Sequence, residues 1–330
     1  RSMVRVAVGQ QVHHGGNGLG PQGHVAPDVG VVGPFVIIGG QEFPFADGLG
    51  HGQDGFVSAD LLDDLAHLPV SERDAMLEES RSETLDALAE IRRALWEPLD
   101  LRAGEVVLVP SAALQEVPVE ASLATAETDW SVTRLPHPAL LRSARSGRRR
   151  TRALVLHDGA RGDRGELNDV TRLLRNFGLE VRRAHRRHEL AAHDKPFGVL
   201  HVAAHGAFDR RRWVGNGIQL ADGWIGFEQL RRRMVRDSLL FFSSCESALP
   251  LGTPTAALDG WMTAGLGAGA REMMLTLWKI DDAAARRFAE AFYPHWCDGD
   301  DAARAAHRAR RSLARAGEHP FRWAPFVSIG

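Results

Sequence analysis

Apolar residues recur along most of this chain in short runs separated by segments of helical period. Runs at Val106–Val109, Ala153–His157, Val199–Ala203, Leu239–Phe242 and Met273–Trp278 have strand length and predict buried strands. Leu167–Phe177, Phe227–Val235, Ala256–Gly265, Asp281–Phe292 and Asp300–Ala316 carry apolar positions at helical spacing. Gly178 and Gly317 stand where helix C-caps belong, and Pro294 reads as a helix stop. Upstream, Leu61, Leu65, Leu68, Leu77, Leu85, Leu88, Ile91 and Leu95 predict an amphipathic helical pair that ends at Trp96-Glu97-Pro98. Ala221-Asp222-Gly223, between Ile218-Gln-Leu220 and Trp224-Ile225, reads as a hairpin turn. Buried runs alternating with helices predict an α/β fold, a mostly parallel sheet flanked by helices on both faces.

Residues 1–57 break this rhythm. They are crowded with glycine and lack helical periodicity, which predicts a dispensable leader, either poorly structured or non-native. Gly18-Leu-Gly20-Pro-Gln-Gly23 matches the dinucleotide fingerprint in letters only. No helical pattern follows it, and Pro27, Gly30, Gly33 and Pro34 interrupt the chain where a phosphate-binding helix is required. The expected organisation is this leader, an upstream helical subdomain over 58–145, and a core over 146–330.

Composition narrows the function classes. Hydrophobic residues make up 44% of the 330 and charged residues 25%, which excludes disorder as the dominant state. Lys+Arg 40 against Asp+Glu 42 leaves a formal charge of −2, so no basic footprint points to nucleic acid or an anionic membrane. The arginines between Arg142 and Arg152 lack interleaved aromatics and read as a solvated linker. No apolar stretch has the length of a membrane span, and no secretory signal pattern opens the chain. The two cysteines, Cys245 and Cys297, exclude a disulfide scaffold and lack zinc-ligand spacing, so a reducing cytoplasm is the expected compartment.

Two of the predicted core strands end in reactive groups. Val199-Leu-His201-Val-Ala-Ala-His205-Gly206 ends in His-Gly, and Leu239-Leu-Phe-Phe-Ser-Ser244-Cys245-Glu246 ends in Ser-Cys. In an open parallel sheet, such groups collect beyond the strands' carboxyl ends. A thiol and an imidazole on one rim suit a thiolate nucleophile with a histidine base, and a strand-end cysteine also suits plain packing. The N–H groups of Gly206 and Cys245 are candidates for an oxyanion hole. His201 and His205 lie about 13 Å apart along a strand, too far to share one ion, so no metal is expected and His201 reads as a packing residue. His185, His188 and His193 read as exposed. Cys297 has no His-Gly partner and reads as structural.

Five segments in chain order resemble the CHAT domain, a bacterial relative of caspases, gingipains and separases. They are Val107-Leu-Val-Pro110-Ser-Ala-Ala-Leu114-Gln-Glu-Val-Pro118, Leu200–Gly206, Phe241–Ser247, Gly269–Asp282 and His319–Gly330. The resemblance spans roughly Thr84 to Gly330. It implies a caspase-like sheet and a cofactor-free cysteine endopeptidase with a His205/Cys245 dyad, acting on protein or peptide substrates. Asp222, Glu246 and Asp282 are acidic candidates for a pocket that takes a basic side chain, while Asp281 reads as a helix N-cap. The resemblance also implies a regulatory protein partner, because relatives carry upstream helical repeats and Leu61–Leu95 is too short for an array. The alternative is a non-cleaving caspase-like interaction or signalling module.

Overall fold

The structure, a computed structural model, describes residues 4–8, 28–32, 35–39, 68, 70–99, 103–110, 114–115, 117–136, 140, 151–159, 164–192, 195–204, 206–207, 217–226, 229–230, 232–243, 261–267, 270–278 and 280–330. Fourteen strands occur among them: β1 Val4–Val8, β2 Asp28–Val32, β3 Phe35–Gly39, β4 Ala103–Val109, β5 Asp129–Arg134, β6 Arg152–His157, β7 Glu180–Ala184, β8 Phe197–Ala203, β9 Gly206–Ala207, β10 Gly217–Leu220, β11 Gly223–Ile225, β12 Met234–Phe242, β13 Ala270–Thr276 and β14 Phe326–Ile329. The helices are α1 Val70–Ile91, α2 Arg164–Asn176, α3 Arg187–Ala191, α4 Trp261–Gly267, α5 Asp282–Cys297, α6 Ala302–Arg315 and α7 Pro320–Trp323.

Nine strands form one sheet in the order β1-β4-β5-β14-β13-β12-β8-β6-β7. Only β13–β14 is antiparallel; the β12–β13, β8–β12, β6–β8 and β6–β7 pairs are parallel. Five carboxyl ends, those of β6, β7, β8, β12 and β13, therefore share one edge. The apolar runs become interior strands because both of their sides are covered: Leu154, Val155, Leu156, Leu200, His201, Val202, Phe241 and Phe242 are all fully buried. The right-handed crossover rule puts α2, which joins β6 to β7, on one face. It puts α4, which serves a step in the opposite direction from β12 to β13, on the other. The α/β class and the mostly parallel sheet match the sequence expectation.

Several elements differ from it. Met234–Val235 open β12 instead of closing a helix, because that end of the run pairs with β8 through Met234↔Phe197. Pro294 does not stop α5, which runs on to Cys297. It sits in the last turn, so its missing N–H removes a single i→i−4 bond and little helix remains beyond it. One helix replaces the second member of the predicted pair and carries on through Leu95 and Trp96; residues 61–67 lie outside the described residues. The leader carries strands that its glycine content hides. β1 pairs in parallel with β4 from Val4↔Glu105 to Val8↔Val109, and β2 and β3 form a hairpin. An uncovered β4 edge would offer free N–H and C=O groups to such a strand. The glycine fingerprint and the arginines of 142–150 lie outside the described residues.

Two motif segments build the core. Arg134 and Glu120 form a buried ion pair, and the same guanidinium donates to the carbonyls of Gln115 at 2.8 Å and Val117 at 2.5 Å. That arrangement folds the segment around Gln115 and Val117 against β5 and gives each guanidinium nitrogen a partner. At the other end of the chain, His319 caps α7, and Trp323 and Phe326 are fully buried.

Candidate functional site

The site is built on the register of β8 and β12. His201 pairs with Phe241 and Val202 with Phe242, and the Ser243 N–H continues the ladder to the Val202 carbonyl at 2.9 Å. Both strands leave the sheet at the same edge, side by side. His205, Cys245 and Glu246 lie outside the described residues. Gly206 opens β9, whose backbone pairs antiparallel with β10 through Gly206↔Ile218.

Beneath this edge lies a buried polar cluster that the sequence reading missed. Glu166, in the first turn of α2, is 4% exposed, and His201 on β8 is 0% exposed. Glu166 Oε1 accepts the Ser243 hydroxyl at 2.6 Å and His201 Nε2 at 3.1 Å. The opposite ring nitrogen, His201 Nδ1, lies 2.9 Å from the Tyr293 hydroxyl of α5. A carboxylate only accepts, so Nε2 donates to Glu166, and in the neutral ring Nδ1 accepts from Tyr293. Burial, followed by Cys297 and Glu166, pushes the Tyr293 phenol well above its ordinary pKa and keeps it a donor. The His201 ring also stacks near Phe241, with ring centres 4.9 Å apart. His201 is thus not a simple packing residue. Both of its nitrogens are committed, and four elements meet on it and its partners. Asp169, one turn along α2, ties that helix to α5 through Arg286 at 2.6 Å.

The neighbouring strand ends carry a second polar group. His157, the last residue of β6, stacks on His185 just past β7, with ring centres 5.3 Å apart. The Gly159 N–H donates to His157 Nδ1 at 3.1 Å, and Glu189 holds His185 Nδ1 at 3.0 Å. Burial, and then the His185 ring, lower the His157 pKa. His185 is therefore half-buried and partnered rather than simply exposed; His188 is exposed, and His193 lies outside the described residues.

The acidic candidates separate. Asp222 sits in the β10–β11 turn, where Gly223 takes the positive φ of +126° that a side chain disfavours. Its carboxylate accepts the Arg187 N–H at 2.9 Å, and that bond holds its pKa below the usual range. Asp281 caps α5, accepting the Ala284 N–H at 2.7 Å, as the sequence predicts. Asp282 is exposed in the first turn of α5, downstream of the β13 end. Cys297, the last residue of α5, is half-buried, and burial pushes its thiol up to about 12. Among the described residues, burial and Asp298 act on this thiol, and both disfavour the thiolate, which fits a structural residue.

Among the described residues, no His, Cys, Asp and Glu group has the arrangement of a metal site, and no helix is long and apolar enough to cross a membrane.

Comparison with known proteins gives the chain a family. No curated protein matches it. Among solved structures, the separase–securin complex of Saccharomyces cerevisiae is similar at 14% identity and TM-score 0.47, covering 68% of this chain and 16% of that one. The chain thus spans about a sixth of the separase chain it matches. The Arg-specific cysteine proteinase gingipain R is similar at 12% identity and TM-score 0.47, covering 74% of this chain and 67% of that one. A complex of Porphyromonas gingivalis RgpB pro- and mature domains matches at 11% identity and TM-score 0.47, covering 77% of this chain and 70% of that one. The profile of the CHAT domain matches residues 85–330, and this chain belongs to the CHAT domain family.

Proposed function

We propose that this protein is a cysteine endopeptidase that uses a Cys245/His205 dyad. The observation that carries the reading is the β8–β12 register. Val202 and Phe242 are paired neighbours, and His205 and Cys245 each follow three residues later in the sequence. Two chains leaving adjacent parallel strands in step are a suitable base for a nucleophile and its proton carrier. CHAT family membership agrees with that chemistry.

In the proposed reaction, His205 takes the Cys245 proton and the thiolate sulfur bonds to the scissile carbonyl carbon. The carbonyl electron pair moves onto oxygen, and the N–H groups of Gly206 and Cys245 receive it. Collapse of this intermediate breaks the C–N bond, and the His205 imidazolium protonates the departing amine. Water, deprotonated by His205, then cleaves the thioester and regenerates the thiol. A basic substrate side chain would meet Glu246 and Asp282. Asp222 suits that role less, because Arg187 already engages its carboxylate. A regulatory protein partner belongs to the same proposal.

The test is to incubate the full chain with a proteome-derived peptide pool and map the new termini by mass spectrometry. Cleavage should occur with the parent and vanish with Cys245→Ala. Cleavage that persists in Cys245→Ala would overturn the reading.

A further inference from the structure

We propose that Glu166 is a positioning residue for the dyad, clamping the exits of β8 and β12 to the first turn of α2. The proposal rests on the peptidase reading above and adds a residue that acts on the reactive groups only through others. The geometry is specific. One carboxylate oxygen, Oε1, receives both the Ser243 hydroxyl at 2.6 Å and His201 Nε2 at 3.1 Å. Ser243 stands two residues before Cys245, and His201 four before His205. A single buried acceptor therefore joins the two strand ends that lead into the proposed nucleophile and base.

The cluster is also closed from behind. Tyr293 supplies the remaining bond to His201 Nδ1, and Asp169–Arg286 fixes α2 against α5. Hydrophobic packing alone would hold β8 and β12 side by side, so the carboxylate is not needed to form the sheet. Burying it is expensive unless it is hydrogen-bonded, and here its partners are the two strand exits themselves. Such a clamp fixes the relative placement of two loops, and a displacement of about 1 Å between reacting groups can reduce a rate about 100-fold.

Ser243→Ala removes one arm of the clamp with little loss of volume and leaves the Glu166–His201 bond in place. Glu166→Gln keeps an oxygen that can accept from both partners, and Glu166→Ala removes the acceptor. The experiment measures iodoacetamide alkylation of Cys245 against pH by mass spectrometry, with an added free-cysteine peptide as standard and circular dichroism as a check on folding. In folded Ser243→Ala, alkylation at pH 7 should slow about 10-fold or more, and its pH profile should move towards the roughly 8.5 of a free cysteine. Glu166→Gln should stay within about 3-fold of the parent, because its amide oxygen restores the clamp. A purely structural role would lower thermal stability and leave the pH profile in place. Unchanged profiles in Ser243→Ala and in folded Glu166→Ala, while His205→Ala shifts the profile, would overturn the positioning role alone. A parent profile identical to that of His205→Ala would overturn the peptidase reading and the clamp with it.

Discussion

Acid should destabilise this protein through His319, and the effect can be worked from its surroundings. His319 caps α7: its Nδ1 accepts the Phe321 N–H at 3.1 Å. Its ring is 5% exposed, and Nε2 has no hydrogen-bond partner among the described residues. Burial, then the Arg81 and Arg322 guanidinium groups, lower its pKa to about 4. An unfolded chain protonates the same ring near pH 6.5. The folded pKa is the depressed one, so stability is complete above about 6.5 and is lost as pH falls towards 4. At pH 5 the ideal loss is about 1.4 × 1.5, or about 2 kcal/mol. Partial solvent screening reduces this to about 1–2 kcal/mol. His319→Asn keeps a side-chain oxygen for the Phe321 N–H and removes the titration. Urea unfolding at pH 7 and pH 5 measures the difference, and groups such as His157 cancel between the two proteins. The parent should lose about 1–2 kcal/mol more than His319→Asn over that interval. Equal losses would refute the reasoning.

Glu120→Ala should destabilise by about 3–5 kcal/mol in urea unfolding at pH 7, because it leaves Arg134 buried without its carboxylate; a loss below about 1 kcal/mol would contradict that. Asp281→Ala should cost about 1 kcal/mol through the lost α5 cap and leave cleavage-site preference unchanged. A changed preference in the terminus map would move Asp281 from capping into the substrate pocket.

The sequence made the interior of the fold legible and left its margins obscure, for physical reasons. Strands such as Val199–Ala203 and Leu239–Phe242 are buried on both sides, so their apolar runs announce them. No apolar run announces β5, because its interior holds Ser131, Thr133 and Arg134, and the Arg134 guanidinium is satisfied by the distant 115–120 segment. β7 is an edge strand in which only Val181 and Ala184 are buried, so no apolar run announces it. Ser-Cys and His-Gly endings were visible locally, and their parent strands proved to be neighbours. Glu166 was not visible, because a carboxylate in a helix's first turn ordinarily complements the helix dipole at the surface. A signal was present all the same: Glu166 shares the helical face of Val170 and Leu174, both fully buried. Only the juxtaposition with His201 and Tyr293 turns that periodicity into a polar cluster.

The central claim is that Cys245 is a nucleophile activated by His205. It is tested most directly by adding a thiol-reactive peptidyl ketone at neutral pH and locating the adduct by mass spectrometry. The account predicts one adduct, on Cys245, absent from His205→Ala, with Cys297 unlabelled because its thiol titrates at about 12. Labelling of Cys245 that is equally slow with and without His205, or labelling confined to Cys297, would contradict it.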